Sequence, residues 1–160
     1  MLFTGFTRID KDILLRIDTT RDAVSGISFA GEVRGGSMTV PDIFYEAERQ
    51  LSEYFSGKRF IFDLPLLLSG TPFQTRVWET LMKIPYGETI SYAEEAELAG
   101  YERAVRAVAN ANGRNPVAIV IPCHRVIRGD GSLGGYFAGT AYKERLLSLE
   151  KHFVARENNI

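Results

Sequence analysis

Apolar residues along this chain change their spacing several times, and each change marks an element. In residues 1–40 they come in short β-rich runs with polar spacers, Ile13-Leu14-Leu15-Arg16-Ile17 and Val24-Ser25-Gly26-Ile27-Ser28-Phe29, which predicts strands. Over 42–56 the period becomes helical: Ile43, Phe44, Ala47, Leu51, Tyr54 and Phe55 share a face, and Gly57 supplies a stop. Residues 58–68 read as extended and apolar, with Pro65 inside. Thr71-Pro72-Phe73-Gln74 then starts a helix: Thr71 can cap, Pro72 suits the first position and Gln74 can reach back. Its apolar face holds Val77, Trp78, Leu81 and Met82, so Trp78 reads as core rather than as a stacking platform. Ser91-Tyr92-Ala93-Glu94 is a second capping box, opening a short helix that stops at Gly100.

A further helix is expected over 102–112. Tyr101, Ala104, Val105, Val108 and Ala111 would face inward, and Arg103, Arg106 and Asn110 outward. Two short helices joined by a glycine turn suggest a helix-turn-helix. Residues 118–121, Ala-Ile-Val-Ile, have strand length and are ended by Pro122. A glycine-rich loop covers 129–139, and a last amphipathic helix covers 140–151 with Tyr142, Leu146, Leu147 and Leu149 apolar. The class is α/β, with a strand-and-helix domain over 1–68 and a mostly helical domain over 69–160.

Composition narrows the setting. Apolar residues make up 45% of the chain, enough for a real core, and no apolar run approaches the ~18 residues of a membrane span. Met1-Leu2-Phe3-Thr4 does not begin a signal peptide, so a cytoplasmic protein is expected. A net charge of −1 looks wrong for a nucleic-acid partner until it is divided. Residues 1–100 carry 10 basic and 15 acidic residues, whereas 101–151 carry 8 and 4. The positive charge is concentrated in one stretch, which suits a local phosphate-facing surface.

That stretch holds the single cysteine, in Pro122-Cys123-His124-Arg125-Val126, preceded by Asn115-Pro116-Val117. One cysteine forms no internal disulfide, and with only His124 and His152 beside it no metal site is expected. A thiol attacks as thiolate, and a nearby imidazole can take its proton. The Cys-His pair alone favours reading Cys123 as a small buried hydrophobe, because neighbours on a strand point to opposite faces. An ordinary solvated helix would equally show Arg103, Arg106 and Asn110, and a plain surface helix would carry Glu150. The glycine-rich loop is followed by no Lys-Ser or Lys-Thr, so a phosphate-cradling loop is a weak reading.

The block Pro122-Cys123-His124-Arg125-Val126, the Asn115-Pro116-Val117 before it, and the stretches Gly70 to Trp78 and Ile84-Pro85-Tyr86-Gly87-Glu88-Thr89 resemble the O6-alkylguanine-DNA alkyltransferases over about residues 65–151. The resemblance implies a ribonuclease H-like first domain and a DNA-binding second domain with a helix-turn-helix. It implies irreversible, single-turnover transfer of an alkyl group from O6-alkylguanine in double-stranded DNA to Cys123, with O4-alkylthymine left open as a second lesion. Glu150 would orient His124, which acts through a water on Cys123. Tyr92 would assist departure at guanine N3, and Asn115 would tie the recognition helix to the cysteine turn.

Arg106 would fill the gap left by the flipped base, as extrusion from a duplex requires. Arg103, Arg114, Arg125 and Ser132 complete the implied DNA-facing set. Tyr136, Gly135, Phe137 and Val126 would form the base pocket, with Tyr136 as a stacking face and carbonyls of Cys123 and Val126 accepting from the guanine amine. Neither metal nor organic cofactor is implied, and the protein is expected to act as a monomer. Glu95 stands where relatives place an apolar residue; the expectation is a loosened helix or a shifted boundary, away from the reacting groups. Phe137 and Ala138 stand where relatives vary.

Other classes fit parts of the chain. A non-catalytic sensor of alkylated bases would lack the cysteine that this chain retains. A helix-turn-helix regulator would need a longer polar recognition face and a dimerisation segment. A Cys-His hydrolase would have to bind a peptide or ester and turn over repeatedly.

Overall fold

A computed structural model describes residues 1–159, which divide into two compact units. The first comprises Met1–Ser69 together with Pro116–Ala118. Strands β1 (Phe3–Arg8), β2 (Leu14–Thr19) and β3 (Val24–Ala30) form an antiparallel sheet in sequential order. The turn between β1 and β2 is built by Asp10, whose carboxylate accepts the N–H groups of Asp12 and Ile13 at 2.8 and 2.9 Å. Helix α1 (Asp42–Phe55) lays Phe44, Ala47, Leu51 and Tyr54 inward at helical spacing, as its apolar pattern requires. Gln50 on the same face holds the following segment: its amide donates to Asp63 O and accepts from Asp63 N, both at 2.8 Å. Residues 58–68 form no strand; a single parallel bridge joins Leu66 to Val24.

The strand expected over 118–121 does not form. Val117 bridges Ile27 and Ala118 N donates to Ile27 O at 3.0 Å, both within the first unit, and the chain then turns at Ile119. Ile119 has φ +75° and is fully buried. A β-branched residue in the left-handed region costs on the order of 1–3 kcal/mol, so the surrounding packing must hold it there. The turn delivers Pro122 into a short 3-10 turn, Cys123–Arg125, rather than to a strand end.

The second unit comprises Gly70–Asn115 and Ile119 onward. Helices α2 (Pro72–Leu81) and α3 (Tyr92–Ala99) begin with the two capping boxes, Thr71 with Gln74 and Ser91 with Glu94. Two-residue strands β4 (Ile90–Ser91) and β5 (Val126–Ile127) pair in parallel. Gly100, at φ +83°, ends α3 in the left-handed cap that glycine favours. Helix α4 (Val105–Asn112) starts three residues later than its pattern suggested, after a turn over 102–104. Val77, Ala96, Val108 and Ala111 make the core between these helices, flanked by Phe73, Tyr101 and Val105. Trp78 is buried beside them and its indole N–H donates to Ala111 O at 2.9 Å. Helix α5 (Thr140–Glu157) runs six residues past its expected end.

Candidate active site

Cys123 opens the 3-10 turn at the floor of an open cavity of about 640 Å³. Tyr92 from the start of α3, Arg106, Asn110 and Asn112 from α4, Arg128, and Gly134, Gly135, Tyr136 and Phe137 from the glycine-rich loop share that cavity. The cysteine is 5% exposed. Asn115 Nδ2 donates both to Ile121 O at 2.7 Å and to Cys123 Sγ at 3.2 Å, so one amide anchors the turn and the sulfur. Burial pushes the thiol up to about 11, against the Asn115 hydrogen bond and the Lys143 charge, which pull it down. The resting sulfur is therefore a thiol, and attack requires a base.

His124 points away into the protein and is fully buried. Its Nε2 lies 2.8 Å from Glu150 Oε1, and its Nδ1 has no hydrogen-bond partner among the described residues. Burial lowers the imidazole pKa more than Glu150 raises it, so the ring is neutral near pH 7. A neutral ring beside a carboxylate carries its proton on Nε2, which leaves the Nδ1 lone pair free to accept one. Glu150 is itself clamped. Arg125 Nε donates to both carboxylate oxygens at 3.0 and 3.2 Å, Arg125 Nη2 donates to Oε1 at 2.8 Å, and Gly87 N donates to Oε2 at 3.2 Å. Burial alone would raise this carboxyl, but His124 and Arg125 outweigh it and hold Glu150 down at about 2.

Arg125 thus departs from its expected place on the DNA face. It is 7% exposed, and its remaining Nη1 donates to Ile84 O at 2.7 Å. In a 3-10 turn successive side chains project about 120° apart, so Cys123 and Arg125 cannot share a face. Val126 also differs from expectation: β5 buries its side chain, which stays off the cavity wall. Arg106 is exposed at the cavity mouth. Arg103, Arg114 and Ser132 are exposed but outside the lining, Ser132 being bonded through N and Oγ to Asp130 at 2.9 and 2.7 Å. Phe137 is half-exposed, with its ring 4.8 Å from that of Tyr136.

The comparisons with known proteins converge on this unit. Residues 72–152 match the family model described as 6-O-methylguanine DNA methyltransferase, DNA binding domain. A methylated-DNA–protein-cysteine methyltransferase of Methanosarcina barkeri is 58% identical over 109 residues, which are 68% of this chain and 69% of that one. The chain belongs to the methylated-DNA–protein-cysteine methyltransferase family. Its fold is similar to the crystal structure of the Mycobacterium tuberculosis O6-methylguanine methyltransferase, with TM-score 0.84 and 40% identity over 95% of this chain and 94% of that one. It is also similar to the Mycobacterium tuberculosis OGT in complex with DNA, with TM-score 0.81 and 42% identity over 94% and 92% of the two chains.

Three residues of this methyltransferase's site escaped the sequence reading. Lys143 is fully buried and donates to Leu133 O at 2.6 Å, Gly135 O at 3.1 Å and Tyr92 Oη at 3.4 Å. It ties the glycine-rich loop to the tyrosine, and burial lowers its pKa to about 8. Its spacing from Leu146 and Glu150 places it on the inward stripe of α5, a signal that was available. Gly134, at φ +72°, lets Tyr92 approach: an added Cβ would stand 2.7 Å from Tyr92 Oη. Arg128 lines the cavity as an exposed cation just beyond the cysteine block. Glu95 overturns its expectation as well. Helix α3 runs through it unbroken and it is 0% exposed, its carboxylate accepting from Asn112 Nδ2 at 2.7 Å, so the helix is neither loosened nor shortened there.

Proposed function

We propose that this protein reverses O6-alkylguanine damage in double-stranded DNA by moving the alkyl group onto Cys123. The observation that carries the reading is a buried thiol at the floor of an open, aromatic-walled cavity, with a neutral imidazole and a clamped carboxylate behind it. A base inside a duplex is out of reach of such a thiol, so the nucleotide must be extruded. Helices α3 and α4 act as a helix-turn-helix on the duplex, and the Ala-rich face of α4 lets its backbone come close. Arg106, exposed at the cavity mouth, fills the vacated stack, while Arg103, Arg114, Arg128 and Ser132 face the phosphates.

In the cavity the base stacks on Tyr136, with the backbone carbonyls of Cys123 and Val126 accepting from its exocyclic amine. The Cys123 proton passes through a water to His124 Nδ1. Glu150, held by Arg125, then balances the imidazolium, as carboxylates do in catalytic triads. Sγ attacks the alkyl carbon in line: the S–C bond forms, the C–O6 bond breaks, and its electron pair leaves with the guanine. Tyr92 supplies a hydrogen bond or proton at N3. Displacement from an aryl ether whose leaving group needs only a proton requires no metal or organic cofactor.

The thioether is stable, so each molecule acts once. O4-alkylthymine presents a similar ether and is the second lesion proposed. The first unit, three sequential antiparallel strands followed by a helix, is read as a small ribonuclease H-like domain. The protein is proposed to act as a cytoplasmic monomer, a reducing compartment being where a lone reactive thiol persists. Among the described residues no helix is long and apolar enough to cross a membrane.

Intact-mass measurement after incubation with a duplex carrying O6-methylguanine tests the reading. The protein should gain one methyl group, and Cys123→Ala should gain none while still binding DNA. Methylation of the Cys123→Ala protein would sink the assignment.

A further inference from the structure

Behind the cavity wall lies a buried polar pair that the transfer reaction leaves unused. Glu95, in the middle of α3, is completely buried, and its Oε2 accepts from Asn112 Nδ2 at 2.7 Å. Asn112 is the last residue of α4 and is buried as well. Glu95 Oε1 and Asn112 Oδ1, the second oxygens of the two planar groups that this bond joins, have no hydrogen-bond partner among the described residues. Buried acceptors are rarely left unmet, and these two are closed both to the cavity and to solvent. The missing donor is therefore one that the interior supplies.

A carboxylate and an amide oxygen only accept, so ionised Glu95 leaves both oxygens unmet. One proton on Oε1 reverses this. The carboxyl O–H donates to Asn112 Oδ1 while Oε2 accepts from Nδ2, and acid and amide close a ring of two hydrogen bonds. The proton also removes a charge from the interior, where an unpaired one is costly. Lys143 on α5 is the cation whose field reaches Glu95, but it donates to Leu133 O, Gly135 O and Tyr92 Oη instead. The other titratable groups that sense Glu95 are Tyr92 on α3 and Cys123 in the 3-10 turn, both pushed up by burial and so neutral near pH 7. Arg106 on α4 and Arg76 and Glu79 on α2 are exposed. Burial raises the Glu95 carboxyl to about 7, against the Asn112 hydrogen bond and the Lys143 charge.

The pair joins α3 to α4. The apolar contact between these helices is made by small side chains, Ala96 of α3 with Val108 and Ala111 of α4. Helix α4 is eight residues long, and no side chain caps its start at Ala104. A directional pair of hydrogen bonds fixes register where small apolar side chains allow sliding. We propose that Glu95 and Asn112 share a proton and form an acid–amide clasp that seats α4 on α3 for duplex binding, with Glu95 a positioning residue that acts through Asn112. The proposal rests on the reading of α3 and α4 as the duplex-facing pair, with Arg106 carried on α4. Loss of the proton in alkaline solution breaks the bond from Oε1 to Oδ1, sets a charge against the amide oxygen and lets α4 shift. Only the seated fraction binds, so the apparent affinity falls in proportion.

The test takes two readings on the full chain. The first follows the carbon-13 shift of the Glu95 carboxyl in the wild type by NMR as the pH rises. A neutral carboxyl at pH 5.5 that ionises near pH 7 is expected; ionisation in the ordinary carboxyl range overturns the proposal. The second is the dissociation constant for an unmodified duplex, by anisotropy at fixed salt, at pH 5.5 and pH 8.5. In Glu95→Gln the new amide can make both hydrogen bonds with Asn112 and does not titrate. Wild type and Glu95→Gln should bind alike at pH 5.5. At pH 8.5 wild type should bind roughly three- to tenfold more weakly than Glu95→Gln, the worth of one net hydrogen bond. Lys143, lowered by burial to about 8, titrates in both proteins and drops out of the comparison. Glu95→Leu makes neither bond and should bind more weakly than Glu95→Gln at both pH values. An equal ratio of wild type to Glu95→Gln at the two pH values overturns the positioning role, as does equal binding by Glu95→Leu and Glu95→Gln. Failure of the folded wild type to bind duplex at pH 5.5 would overturn the reading of α3 and α4 and with it that role, while the carboxyl titration separately decides the shared proton.

Discussion

Replacing Arg125 with Met removes four hydrogen bonds at once, three to Glu150 and one to Ile84 O. The methionine fills much of the space, so the loss is electrostatic. Glu150 keeps His124 and the Gly87 N–H but loses its guanidinium partner, in a site where it is 1% exposed. Removing one partner of a buried pair costs about 3–5 kcal/mol, because the other charge stays desolvated. The whole depression of the Glu150 carboxyl, from 4.5 to about 2, amounts to about 3 kcal/mol, shared between His124, the larger contributor, and Arg125.

The sign follows from the depressed value. The contribution is present above pH 4.5 and is lost as the pH falls through 2. At pH 7 the variant should melt roughly 6–20 °C below wild type, taking ~2–4 °C per kcal/mol for a domain of this size. The gap should narrow as the pH approaches 2. Arg125→Met with Glu150→Gln should recover part of the loss, since no uncompensated charge remains. DNA affinity of the folded fraction, measured by anisotropy across a salt series, should keep its slope. A phosphate-contacting arginine would instead lower the slope by about 0.9 when removed. A variant with wild-type melting and a reduced salt slope would return Arg125 to the DNA face and refute the buried clamp.

Arg106→Ala should slow repair in duplex DNA far more than reaction with the free base O6-benzylguanine, since only the duplex must be unstacked at a cost of a few kcal/mol; equal losses on both would remove the wedge role. Glu95 should leave the opposite pH signature to Glu150. Its carboxyl is raised from 4.5 to about 7 by burial, so the folded state holds the proton more tightly than the unfolded chain. Stability is then fullest below pH 4.5 and falls by up to about 3 kcal/mol as the pH rises to 7. Urea unfolding of wild type and Glu95→Gln at pH 5 and pH 8 reads this as a difference between the two proteins that should shift by that amount; an unchanged difference would show that Glu95 is solvated.

Local signals in the sequence determined much of this protein. Thr71 with Gln74 and Ser91 with Glu94 placed two helix starts to the residue, because a cap is a contact between residues three apart. The helical spacing of Phe44, Ala47, Leu51 and Tyr54 placed α1, because one face of one helix meets one core. The stretch around Cys123 carried the resemblance to the family, because those residues stand consecutively in one short turn. Only the tertiary structure decided where charges go. Arg125 lies beside Cys123 in sequence yet turns inward to Glu150, 25 residues on, and Glu95 meets Asn112, 17 residues on. Lys143 reaches Tyr92 across 51 residues.

A charged side chain is driven to the surface by its own hydration, and only partners brought from distant segments can hold it inside. Nothing in a local pattern records those partners, so Arg125 read as a DNA contact and Glu95 as a flaw in its helix. The turn at Ile119 is of the same kind. A run of β-branched residues asks for a strand, and only packing from all sides keeps a buried isoleucine left-handed and sends the chain into the cysteine turn instead.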